Sequence, residues 1–87
     1  MYYLYILQCK DKSLYTGIAL DVEKRLKEHK TGKGARYTRA HEPARIVHTE
    51  MFPTRSAALK REAEIKKWPR EKKLRLFSAR YITRPPR

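Results

Sequence analysis

The sequence predicts a small α/β domain: a three-stranded antiparallel or mixed sheet flanked by helices, in the order ββαβαα. Three observations lead there. Residues 2–8, YYLYILQ, are aromatic and aliphatic with no polar helical face, as a well-buried strand requires. Two later segments carry apolar residues at helical spacing behind a capping residue. A further strand-like run, ARIVHTEM at 44–51, separates those two segments.

The elements follow in order. Residues 9–12, CKDK, form a polar turn, and residues 13–18, SLYTGI, read as a second strand, so the two strands make a hairpin. Gly17, late in that strand, marks a bulge or a close approach of backbone or ligand. Asp21 is a good N-cap, and Val22, Leu26 and His29 follow at helical spacing in a helix that ends by Gly32. Residues 30–43, KTGKGARYTRAHEP, read as a basic loop with room for one helical turn. Pro53 and Thr54 then open a second long helix through AALKREAEIKKW at 57–68. Ala58, Leu59 and Ile65 share one face of it, and the carboxylate of Glu62 falls in the middle of that face. Pro69 stops or kinks this helix because it lacks an N–H. A shorter helix over roughly 70–79 turns Leu74 and Phe77 inward, which closes one domain over 1–79 and leaves 80–87 as a basic, fraying tail.

Charge narrows the class of partner. The 87 residues hold 22 Lys and Arg against 9 Asp and Glu, a net charge of +13. Self-repulsion on that scale is relieved by a polyanion, so nucleic acid is the first candidate partner and an anionic membrane surface the second. The 40% hydrophobic content points to a folded domain rather than a disordered tail. Cys9 is alone, which excludes an internal disulfide, and no Cys/His cluster has zinc spacing. The apolar N-terminal run is too short for a signal peptide, and no stretch approaches a membrane span. The expectation is a reduced, cytoplasmic compartment and no membrane partner.

Three sets of residues could carry chemistry. Tyr5 and Tyr15 lie in the paired strands, where a tyrosine either packs with its hydroxyl at the rim or serves a site. Arg25 and His29 sit four residues apart and so share a helix face. They are either a solvated flank or a phosphate-binding fork beside a proton carrier. Glu62 is either half of an ion pair or the ligand of a hard cation. A buried, unpaired carboxylate would become protonated instead. Taken together, hydroxyls, an Arg/His pair and one carboxylate are what a one-metal phosphodiesterase needs.

The same residues carry a resemblance. The chain resembles the GIY-YIG nuclease domain, most closely its small stand-alone bacterial members. The first motif reads Tyr3-Leu4-Tyr5 and the second Tyr15-Thr16-Gly17. Arg25 stands eight residues after the motif glycine, His29 follows four later, and Glu62 sits within KREAEIKK. TGKGARYT at 31–38 is also similar to the stand-alone members, and the likeness spans about residues 1–75.

The resemblance implies Mg²⁺ or Mn²⁺ on Glu62, Tyr5 and Tyr15 near an attacking water, Arg25 on the scissile phosphate, and His29 as proton carrier or phosphate contact. It implies a DNA endonuclease, structure-selective and used in repair or recombination. Tyr3 stands where the motif usually has glycine, and the chain contains no asparagine, which repair members use beyond the glutamate. These departures point to weak activity or to a targeting protein partner. The alternative is a nucleic-acid-binding module with little catalysis. It would contact phosphates through Lys33, Arg36, Arg39 and the basic segment 70–75, with Tyr37 stacking on a base.

Overall fold

Pairing builds the sheet around its first strand. In the computed structural model, which describes residues 1–77, β1 (Tyr2–Cys9) lies between β2 (Leu14–Ala19) and β3 (Pro43–Phe52). Both pairings are antiparallel. The expected tail at 80–87 and the last residues of the expected final helix lie outside the described residues.

The central position explains the apolar run. Leu4, Tyr5, Ile6 and Leu7 are each at most 1% exposed. Side chains alternate across a strand, so burial at consecutive positions requires cover on both faces. On one face Leu4 and Ile6 pack with Ile65 of α3 (Arg55–Lys66), and Ile18, Val47 and Trp68 close around them. Burial of each such aliphatic side chain is worth about 1.5–3 kcal/mol. On the other face lie Tyr5 and Leu7 with Gly17 and Tyr15, their partners across the β1–β2 ladder. Here α1 (Val22–Lys30) contributes His29, its one fully buried residue.

Capping sets where the helices begin and end. The Asp21 carboxylate accepts from the Lys24 amide at 3.0 Å, and the Thr54 hydroxyl accepts from the Ala57 amide at 3.1 Å. α1 ends in a Schellman turn: Lys33 N–H reaches Glu28 C=O at 2.8 Å and Gly32 N–H reaches His29 C=O at 3.2 Å. Gly32 takes the left-handed conformation this turn needs, with φ of 80°. The single helical turn allowed for in the loop is α2 (Arg36–Ala40). The final helix is shorter than expected: α4 spans Arg70–Leu74, with Pro69 at its N-cap, where the missing N–H costs nothing. Phe77 packs against the core as anticipated, but Leu76 joins it there while Leu74 is only half buried.

One ion pair docks α3 on the sheet. Arg61 Nε donates to Glu50 Oε1 at 2.8 Å and its Nη2 to Oε2 at 3.1 Å, a bidentate grip. The same guanidinium lies 5.0 Å from the Trp68 ring centroid. In the β1–β2 turn, Asp11 accepts from the Ser13 amide at 3.0 Å and hydroxyl at 2.6 Å, and Lys12 is left-handed with φ of 74°.

The two left-handed residues predict opposite outcomes in urea unfolding. Gly32→Ala forces a Cβ into that conformation and is expected to lower stability by about 1 kcal/mol. Lys12→Gly removes a Cβ from it and is expected to raise stability by about 0.5 kcal/mol. Shifts of the same sign would contradict the assigned backbone.

Candidate active site

The site is assembled on Tyr5. The phenol lies across Gly17 of the neighbouring strand, so closely that a Cβ at Gly17 would come within 2.7 Å of Tyr5 Oη and 2.8 Å of Cζ. Only glycine leaves room for the ring. The Tyr5 hydroxyl is 2.8 Å from His29 Nε2, and His29 Nδ1 is 2.7 Å from the Thr38 hydroxyl of α2. Thr38 in turn donates to the Ala35 carbonyl at 2.9 Å. A second glycine lets the loop after α1 close on the imidazole. A Cβ at Gly34 would meet Nδ1 and come within 2.7 Å of Cγ and 2.8 Å of Cε1. Tyr5 and His29 are therefore packed between two glycine backbones.

Aromatic rings extend the cluster. The Tyr15 centroid is 6.3 Å from Tyr5, 5.2 Å from His29 and 6.0 Å from Tyr37. Tyr37 stacks on His41 at 4.2 Å, which covers one of its faces. His41 is tied to the hairpin turn, its Nδ1 being 2.7 Å from Asp11 Oδ2.

Burial governs the electrostatics. It pushes the Tyr5 phenol up to about 12; the Arg25 guanidinium opposes this, while Tyr15 and Glu62 add to it. Burial also holds His29 below its ordinary value, and the positive charge of Arg25 works in the same direction. Both members of the Tyr5–His29 pair are thus neutral near pH 7. Arg25 sits beside them but is not idle: its Nη1 donates to Glu28 Oε1 at 3.0 Å, with both side chains about one-third exposed. Arg25 also lines an open groove of about 280 Å³ with Lys24, Asp21 and Glu28, so it is reachable from solvent.

Glu62 stands one step away. It is half buried on α3, and no hydrogen bond joins it to a tyrosine among the described residues. Its ion pair is with Lys66, at 3.3 Å, and Lys66 Nζ lies 5.9 Å from the Tyr15 ring centroid. Among the described residues no three His, Cys, Asp or Glu side chains cluster as metal ligands. The donor set fits a hard, mostly hydrated ion such as Mg²⁺ or Mn²⁺, which needs one carboxylate and fills the rest of its shell with water or phosphate oxygens. Lys33, Arg36 and Arg39 are exposed along the α1–α2 rim and make no ion pair among the described residues.

Similarity to known proteins gives the family of the chain. The family model described as the GIY-YIG catalytic domain matches residues 1–75. The chain belongs to this family. The chain is 56% identical over 77 residues to a UPF0213 protein of Staphylococcus saprophyticus, covering 88% of this chain and 94% of that one. A UPF0213 protein of Haloquadratum walsbyi is 57% identical over 75 residues, 86% of this chain and 84% of its own. The solution NMR structure of a UPF0213 protein from Bacillus halodurans is similar at a TM-score of 0.57 with 44% identity, covering 93% of this chain and 92% of that one. That of an E. faecalis protein is similar at 0.61 with 40% identity, covering 99% and 92%.

The tertiary structure adds residues to this candidate site of the GIY-YIG domain that sequence reasoning missed. Gly34 had a signal, the second glycine of TGKGARYT, but its role needs the His29 ring above it. Thr38 closes the same stretch, but its partner lies nine residues away across the Gly-containing turn. Lys66 read as one solvated lysine among many.

Two predictions follow from the packing and the charge states. Gly17→Ala is expected to cost about 1–3 kcal/mol in urea unfolding and to change the near-UV signal of Tyr5; an unaltered midpoint would refute the contact. Because the folded chain holds the His29 proton less tightly than the unfolded chain, stability is full above about pH 6.5 and falls as pH drops below it. The urea midpoint is therefore expected to be lower at pH 5.5 than at 7.5, with a smaller difference in His29→Gln.

Proposed function

We propose that this GIY-YIG domain is a divalent-metal-dependent endonuclease that hydrolyses phosphodiester bonds in DNA. One observation carries the reading: a buried, neutral, hydrogen-bonded Tyr5–His29 pair beside a solvent-accessible arginine, on a domain of net charge +13. Tyr5, with Tyr15 next to it, borders the attacking water, and His29 takes the proton passed on from it. Arg25 leaves Glu28 for the scissile phosphate and neutralises the charge that develops there. Glu62 would hold Mg²⁺ or Mn²⁺ once Lys66 swings away, and the ion would supply Lewis-acid polarisation of the phosphate and of water. Lys33, Arg36 and Arg39 hold the flanking backbone. Structure-selective cleavage in DNA repair or recombination, in the cytoplasm and with a targeting protein partner, extends this reading on family membership alone.

Flapped and branched DNA with Mg²⁺ or Mn²⁺ is the direct assay. Glu62→Gln and Arg25→Ala are each expected to slow cleavage by about 100-fold or more while leaving the urea midpoint within the range of a surface change. Equal nicking by wild-type and Glu62→Gln preparations would overturn the reading.

The Glu62–Lys66 ion pair supports a second reading, a nucleic-acid-binding module with little catalysis. It predicts binding that weakens steeply with salt and is indifferent to metal and to Glu62. Cleavage that requires Glu62 would reject it.

A further inference from the structure

We propose that Thr38 is a positioning residue that locks His29 in the tautomer carrying its proton on Nδ1, so that Nε2 faces Tyr5 as a lone pair. The direction of the hydrogen bonds follows from where the chain of contacts ends. A carbonyl can only accept, and the Ala35 carbonyl lies 2.9 Å from the Thr38 hydroxyl. That hydroxyl has one proton. Spent on Ala35, it leaves the Thr38 oxygen to accept from His29 Nδ1–H across 2.7 Å. Nε2 is then unprotonated and accepts from the Tyr5 hydroxyl across 2.8 Å. Every proton in the series Tyr5, His29, Thr38, Ala35 has an acceptor.

The opposite tautomer breaks the series at its buried end. His29 Nε2–H would point at the Tyr5 oxygen, so the phenolic proton would lose its acceptor. Thr38 would donate to Nδ1 instead, and the Ala35 carbonyl would keep only its helical partner in α2. Tyr5, His29 and Thr38 are 1–2% exposed, so water does not readily replace those partners. A buried group left without a partner bears its full desolvation cost, which sets the preference at about fivefold or more. Gly34 reinforces the lock, since its backbone lies against the His29 ring and opposes a flip.

The lock gives the tyrosine a directed proton acceptor. In the transfer step the Tyr5 O–H bond breaks and an N–H bond forms on His29 Nε2, giving a tyrosinate and an imidazolium with no change in total charge. The imidazolium keeps its Nδ1–H on Thr38, so no ring rotation is needed. Within the proposed nuclease reaction the tyrosinate would then take a proton from the attacking water. That consequence rests on the proposed function, whereas the tautomer does not.

The experiment is long-range ¹H–¹⁵N correlation on histidine-labelled full-length protein at pH 7.5, joined to cleavage kinetics. In the wild type His29 is expected to show a protonated Nδ1 and a pyridine-type Nε2. Thr38→Ser, which keeps the hydroxyl, is expected to keep that signature and to cleave within about twofold of wild type. Thr38→Val, which keeps the shape and loses the hydroxyl, is expected to show mixed or inverted tautomers. It should lose about tenfold or more in kcat with KM unchanged. A wild-type spectrum with the proton on Nε2 overturns the proposal, and that spectrum needs no variant to fold. So does a Thr38→Val protein with the wild-type signature. If the wild type shows the lock but cleaves no DNA, the lock stands and the nuclease reading is what fails.

Discussion

The constraint on which this site depends is the burial of one phenol. Tyr5 occupies the central strand, 1% exposed, where its hydroxyl is withdrawn from bulk water. A buried polar group needs a partner, and the partner it finds, His29, is buried as well. That histidine needs a partner in turn, and Thr38 provides it. Satisfying one hydroxyl thus joins β1, α1 and α2, three elements that share no other buried polar link among the described hydrogen bonds. Removing a member from such a series exposes the others to the cost of an unpaired buried group.

Close approach is the second half of the same constraint. Hydrogen bonds of 2.7–2.8 Å inside a small core leave no space for Cβ atoms on the flanking backbone. Gly17 and Gly34 supply that space from opposite sides, one in a strand and one in a loop. The Schellman turn at Gly32 returns the chain over α1 so that Gly34 can reach the imidazole. Backbone geometry, capping and polar satisfaction are therefore aspects of one arrangement.

The ion pairs divide into two kinds. Arg61 grips Glu50 through two nitrogens, stacks near Trp68 and anchors α3, so it has little freedom to leave. Arg25–Glu28 and Lys66–Glu62 are single contacts between helical neighbours, three and four residues apart. Such pairs are worth little in water and exchange readily. The first kind holds the scaffold. The second kind can exchange for another partner, as the proposed roles of Arg25 toward a phosphate and Glu62 toward a cation require.

Much of this was legible in the chain. Periodicity and caps predict the strands, the two long helices and the apolar run of β1, because those signals act over a few residues and need no distant partner. The ordered set Tyr5, Tyr15, Gly17, Arg25, His29 and Glu62 carries the family likeness for the same reason: each is a residue type at a spacing. What the spacing could not say is which of them touch. Sequence placed His29 on the edge of a helix face beside Arg25; the structure buries it under Gly34 and bonds it to Tyr5, 24 residues away. Sequence set Glu62 among the core residues of α3; the structure leaves it partly buried and paired with Lys66, with no hydrogen bond to a tyrosine among the described residues. The roles of Thr38 and Gly34 could not be read from TGKGARYT because they exist only once the loop folds back onto α1. The chain by itself determined the elements and the chemical types available. Tertiary structure alone decided which polar groups lose water together, and that loss is what forces the hydroxyl, the imidazole and the threonine into one directed series.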